Sequence, residues 1–284
     1  MLEVQVMEDV MCAKMQVVRA DGKGKPVFLF LVDGMLIDTG PQSIEKEIIS
    51  FYKEHSNKIQ LVALTHSHED HSGTASWLQE NLNTPIYVHT KGIQVCHWKT
   101  PYPKYRQVAW GVREEFSPSP LGSKIKSLNA EWEVIYTPGH ADDHVALLDK
   151  QTGRMFTGDL FVSPKTKVIM DTESIPMIMN SIRKLLTYDF SAIFCSHAGY
   201  FKDGKEKLKQ KLDHLEYLYG EVEKMYTEGK SIVEINKKLF PKVYPIVEVS
   251  SGEWDSLHIV SSIVSELDKK RMGQKKFSKE KSER

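Results

Sequence analysis

Cysteine is scarce in this sequence of 284 residues: Cys12, Cys96 and Cys195 are the whole complement. An odd number with no Cys-x-x-Cys pair argues against both a disulfide framework and a sulfur-ligated metal, and fits a reducing compartment. Long apolar runs are also missing, so no stretch approaches the length of a transmembrane helix. Residues Met1 to Asp9 lack the basic-then-apolar order of a signal peptide, and a cytosolic location is expected. Charge of one sign is not in excess, since 38 Lys+Arg meet 38 Asp+Glu. No global basic field therefore announces nucleic acid as a partner. The end of the chain is the local exception, where Lys269, Lys270, Arg271, Lys275, Lys276, Lys279, Lys281 and Arg284 are opposed only by Glu280 and Glu283. Such a run reads as a solvated tail.

What is present is ordinary globular material, 40% hydrophobic and 27% charged, enough for one large core or one domain with an appendage. Against it stands Thr65-His66-Ser67-His68-Glu69-Asp70-His71, directly after an apolar segment. Neutral imidazole and ionised carboxylate suit zinc and related divalent ions. In an extended or tightly turning backbone His66 and His68 point to one side and can reach one ion. Asp70 and His71 remain for a second.

Val27 to Val32, Asp33-Gly34 and Met35 to Ile37 form a predicted hairpin, the Asp-Gly pair being a favoured two-residue turn. A helix follows over Ser43 to His55, with Ile44, Ile48 and Phe51/Tyr52 at helical spacing. Ile59 to Leu64 reads as a buried strand that runs into the histidine cluster, and a further amphipathic stretch surrounds Trp77, Leu78 and Leu82. This strand, ligand loop, helix order is an α/β arrangement. The same grammar recurs downstream. Glu131 to Tyr136 ends in Pro138-Gly139-His140, Arg154 to Thr157 in Gly158-Asp159, and Ser191 to Cys195 in Ser196-His197. Ligands placed on strand ends converge on one edge of a sheet.

These residues resemble the metallo-β-lactamase superfamily over roughly residues 20 to 200. The His-x-His-x-Asp-His motif is matched by His66, His68, Asp70 and His71, the later ligands by His140, Asp159 and His197, and the first motif by Asp38 in Leu-Ile-Asp-Thr-Gly. The resemblance implies a four-layer αββα sandwich, α/β in class. It implies two divalent ions, Zn2+ first with Fe or Mn as substitutes, one on His66, His68 and His140 and the other on Asp70, His71 and His197, with Asp159 bridging. It also implies a hydroxide shared by ions about 3.5–4 Å apart that attacks a carbonyl or phosphoryl centre, Asp70 and Asp159 orienting the nucleophile. No residue identifies itself as proton donor to the leaving atom.

His144 and Asp142/Asp143 read as hydrogen-bonding neighbours rather than further ligands. His89 reads as structural, Cys195 as a small core side chain, and His258 as a surface or core-edge residue. Between Lys91 and Ser127, Trp98, Tyr102, Tyr105, Trp110 and Phe116 lie among prolines; the segment either covers substrate or packs its rings onto the sandwich. The expected division is residues 1–204 as catalytic domain, 205–268 as a small C-terminal helical subdomain in which Ser231 to Glu234 is a capping box, and 269–284 as a basic, disordered tail. A small-molecule hydrolase of thioesters, lactones or esters is the expected function, with no membrane partner. The alternative is a phosphodiesterase or endoribonuclease served by the basic tail, which steep salt dependence would reveal.

Overall fold

A computed structural model of the chain describes residues 2–18 and 24–282. The first sheet takes its strands in chain order: β1 (Glu3–Met7), β2 (Val10–Val18), β3 (Gly24–Val32), β4 (Met35–Ile37), β5 (Leu61–Ala63), β6 (Ile86–Val88) and β7 (Ser119–Pro120). The first four pair antiparallel, and from β4 onward the pairing is parallel. The expected hairpin is present: Val32 pairs with Met35 across Asp33 and Gly34, whose φ of +46° and +82° supply the left-handed turn. The parallel crossovers carry α1 (Glu45–Glu54), α2 (Glu69–Ser72), α3 (Ala75–Leu82), α4 (Thr90–Cys96) and α5 (Lys104–Trp110).

The second sheet is formed by β8 (Lys124–Lys126), β9 (Glu131–Tyr136), β10 (Val145–Asp149), β11 (Arg154–Gly158), β13 (Ala192–Cys195) and β14 (Gly199–Phe201), neighbours in that order. A small ribbon pairs β12 (Ile169–Met170) with β15 (Trp254–Asp255). The remaining helices are α6 (Ile175–Leu186), α7 (Gly204–Thr227), α8 (Ile232–Leu239), α9 (Pro245–Val249) and α10 (Leu257–Ser282).

Alternation along the strands produces the layers, because successive side chains of a strand leave on opposite faces. In β3, Val27, Leu29 and Leu31 join Ile48, Phe51, Tyr52 and Leu78 of the first helical layer. Phe30 and Val32 point the other way, to Trp132, Leu147, Phe156 and Phe194 of the second sheet. In β10, Val145 and Leu147 face the first sheet, while Ala146 and Leu148 face Ile182, Leu212, Leu215 and Ile263. The result is the expected αββα sandwich.

The C-terminal helices are not set apart from it. Leu208, Leu215 and Val222 of α7, Ile235 of α8 and Ile259 and Ile263 of α10 share one core with β11, β13 and α6. The helices of the expected C-terminal subdomain thus pack in the outer helical layer of the sandwich. The Ser231–Glu234 capping box forms as read. Backbone helix continues through 269–282, the stretch assigned to the basic tail, whose side chains from 274 on lie outside the described residues.

Candidate metal centre

Every ligand candidate leaves a strand end at one edge of the sandwich. β5 ends at Ala63, and the next residues carry His66, His68, Asp70 and His71 into the short α2. β11 ends at Gly158, whose φ of +47° turns the chain into Asp159; a Cβ there would lie 2.6 Å from His144 Nε2 and 2.9 Å from Thr65. β9 leads to His140 and β13 to His197.

The seven side chains meet in three overlapping groups, His66/His68/His140, His66/His71/Asp159 and Asp70/His71/His197, with ligand atoms inside each within 4.8 Å of one another. His68 Nδ1 lies 3.0 Å from His66 Nε2 and 3.1 Å from His140 Nε2. His197 Nε2 lies 3.1 Å from Asp70 Oδ2 and 3.2 Å from Asp159 Oδ2. Asp159 also reaches His71 Nε2 at 3.4 Å and His140 Nε2 at 3.6 Å, so it stands between the two outer groups.

The far ring nitrogens are held by the protein, which fixes which nitrogen faces the cluster. Asp38 takes His71 Nδ1 at 2.8 Å, Glu173 takes His140 Nδ1 at 3.1 Å, the Pro26 carbonyl takes His197 Nδ1 at 2.9 Å, and the Thr65 hydroxyl lies 3.1 Å from His66 Nδ1. His144 accepts the Asp159 N–H on Nε2 at 3.1 Å and bonds Thr137 through Nδ1, so it positions the aspartate from behind. Asp143 accepts the Ser67 N–H.

Burial and the surrounding imidazoles push His66 and His68 well below the usual histidine range, and His144 down to about 3. Burial opposes the charge on Asp70 and Asp159, but the His71 and His197 rings hold both carboxyls below their usual value. His66 and His68 are thus neutral beside ionised carboxylates, the forms that bind a divalent cation, whereas Asp38, Asp70 and Asp159 outweigh burial and raise His71 well above the usual histidine range, and Asp159 raises His197, so these two rings would give up a proton to an ion. His71 Nε2, Asp159 Oδ1 and His197 Nε2 are buried without a hydrogen-bond partner among the described residues. Buried polar atoms are rarely left so, and here all three face the cluster. The donor set therefore fits divalent metal ions.

Other residues find quieter places. His89 stacks on Tyr136 at 4.6 Å, His258 Nε2 bonds the Gly252 carbonyl at 2.8 Å, and Cys195 is fully buried in the core. In the aromatic segment, Tyr102, Trp110 and Phe116 are buried while Trp98 is 63% exposed. The segment packs its rings onto the sandwich, and α5 also brings Arg106 and Trp110 to the mouth of the cluster beside Lys25, Met170 and Trp254.

Sequence reasoning gave no role to Glu69, Arg106, Glu173 or Lys211. Fully buried Glu69 takes a two-pronged pair from Arg106, 2.5 Å at Nε and 2.6 Å at Nη2, while Nη1 reaches Glu253 at 3.0 Å. No local pattern marks these residues, because their partners are distant along the chain.

The family profile of the metallo-beta-lactamase superfamily matches residues 25–197. The chain is 26% identical over 181 residues to the atrochrysone carboxyl ACP thioesterase of Aspergillus fumigatus, covering 63% of this chain and 51% of that protein. It thus spans about half the length of that relative. It is 24% identical to the probable metallo-hydrolase YqjP of Bacillus subtilis, covering 84% of this chain and 90% of that one. The metallo-beta-lactamase family protein TTHA1429 of Thermus thermophilus shares the fold, with a TM-score of 0.68, 16% identity, and coverage of 94% of this chain and 95% of that one. Among the described residues no helix is long and apolar enough to cross a membrane.

Proposed function

This chain belongs to the metallo-beta-lactamase superfamily of hydrolases, and from that membership we propose that it hydrolyses a thioester, lactone or ester of a small molecule with two divalent ions in its site. The observation that carries the reading is the overlap of three ligand groups through His66 and His71, with Asp159 central to them. His66, His68 and His140 would hold one ion, Asp70, His71 and His197 the other, and Asp159 both. Ions held there would supply acidification of water and polarisation of a carbonyl.

The chain's own residues do the rest. Asp70 and Asp159 keep their carboxylates ionised and orient the attacking oxygen. Asp38, Glu173 and the Pro26 carbonyl hold His71, His140 and His197 in the tautomers that present Nε2 to the cluster. Trp110, 6.2 Å from His197 between ring centres, and Arg106 wall the mouth and restrict water. A cavity of about 280 Å³ adjoins His140 and Asp159, a size for a small molecule. The thioesterase name of the Aspergillus relative supports acyl chemistry.

The test is a matched panel of thioesters, lactones and single-stranded RNA given to metal-loaded wild type and Asp159→Ala. Acyl turnover that falls at least 100-fold in the variant, with loss of one metal equivalent, supports the reading. Unchanged metal content sinks the two-ion assignment, and RNA cleavage alone replaces the acyl reading with a nuclease.

A further inference from the structure

Lys211, on α7, is only 6% exposed, and its Nζ donates to the Phe161 carbonyl at 2.6 Å. An ammonium carries three donors, and among the described residues no carboxylate pairs with this one. Burial of such a cation without a direct ion pair is costly, and it pulls the Lys211 pKa down to about 8 against the longer-range pull of Glu173 and Asp159, which still leaves the amine charged at neutral pH.

Lys211 forms part of the wall of the 280 Å³ cavity that adjoins His140 and Asp159. Lys25, Lys165 and Lys167 make four lysines around it. The carboxylates on the same wall are already engaged: Glu173 with His140 and the Met170 N–H, Asp159 among the ligand imidazoles. Val162 and Ile178 supply apolar wall. Val162 holds φ at +47°, a conformation a β-branched residue rarely adopts. It follows directly after the carbonyl that Lys211 binds.

We propose that this cavity is an anion subsite: the substrate carries a carboxylate or phosphate that pairs with Lys211 while its scissile carbonyl lies at the histidine-aspartate cluster. Val162 and Ile178 flank the short apolar link between the two ends. The place of the scissile bond rests on the acyl-hydrolase reading; the binding of the anion does not.

The experiment therefore measures binding apart from turnover. Metal-loaded wild type, K211M, K211R and K165E/K167E are titrated with glutarate, inorganic phosphate, acetate and uncharged glutaramide, by thermal shift and calorimetry. Wild type should bind glutarate or phosphate at least 10-fold more tightly than glutaramide, and the stronger of the two anions identifies the group. K211M should lose about 10-fold for that anion and nothing for acetate, which can reach the cluster alone; K211R should keep most of the affinity. Equal binding by wild type and K211M overturns the subsite and leaves Lys211 as a support for the Phe161 carbonyl. If K211M does not fold, K165E/K167E, altered at exposed positions of the rim, should still weaken the anion several-fold, and no preference of wild type for the anion over glutaramide overturns the proposal. Glutaryl and pentanoyl thioesters complete the series. Lys211-dependent binding with no turnover of either strikes the acyl reading and leaves the subsite standing.

Discussion

The Asp38 carboxylate accepts the Nδ1–H of His71 at 2.8 Å, with both side chains 1% exposed. It also accepts the Thr65 N–H at 2.8 Å and the Ser196 hydroxyl at 3.0 Å, so one side chain ties together the ends of β4, β5 and β13. Its φ of +60° lies in the left-handed region, which Asp and Asn tolerate better than most residues. Asp38→Asn keeps that backbone and removes the charge that orients His71. Metal affinity, read by chelator competition, should fall about 10- to 100-fold with an unchanged circular dichroism spectrum. Asp38→Ala should lose stability as well.

Arg106 is the sole guanidinium on fully buried Glu69 among the described residues. Removing one partner of a buried pair strands the other charge, so Arg106→Ala should destabilise by about 3–5 kcal/mol in urea unfolding. Arg106→Met with Glu69→Met should recover part of that loss. Recovery of nothing would show that Arg106 acts instead through Glu253 and the Tyr102 ring, whose centre lies 5.3 Å from the guanidinium carbon.

Asp149 carries a testable acid-side dependence. Burial raises its pKa, but the Thr152 hydroxyl, the Gln151 N–H and Arg154 outweigh it and hold the carboxyl below the usual value. A depressed folded-state pKa means stability that is full above the unfolded value of about 3.9 and lost as pH falls through the folded one. Asp149→Asn should therefore cost stability at pH 7 and flatten the decline below pH 4, measured as Tm against pH.

Phe156 lies between the two sheets, fully buried, with ring centres of Phe30, Trp132 and Phe194 at 5.4, 5.4 and 4.9 Å. Phe156→Ala should destabilise by about 3–5 kcal/mol. Metal stoichiometry should stay at the wild-type value in the folded fraction, because Phe156 lies two residues before the strand end that carries the site.

That the seven candidate side chains would meet was legible because ligand chemistry and strand-end placement are both local. An apolar run followed by His or Asp marks a candidate ligand, and four such runs that reach one edge of the sandwich, one from the first sheet and three from the second, need no knowledge of the loops between them. The capping box at Ser231 was readable for the same reason. The packing of the C-terminal helices was not. Leu208, Leu212 and Leu215 show an amphipathic helix, but only packing shows that its apolar face covers the second sheet.

By itself the sequence determined the layered α/β class and which candidate side chains would gather at one edge, since alternation, turn chemistry and strand-end placement act over a few residues. Tertiary structure alone decided what surrounds the ligands. Glu69 meets Arg106 across 37 residues, Arg106 meets Glu253 across 147, and Lys211 meets Phe161 across 50. A charge in sequence is solvated by default, and only a long-range fold that withdraws it from water turns it into part of a site.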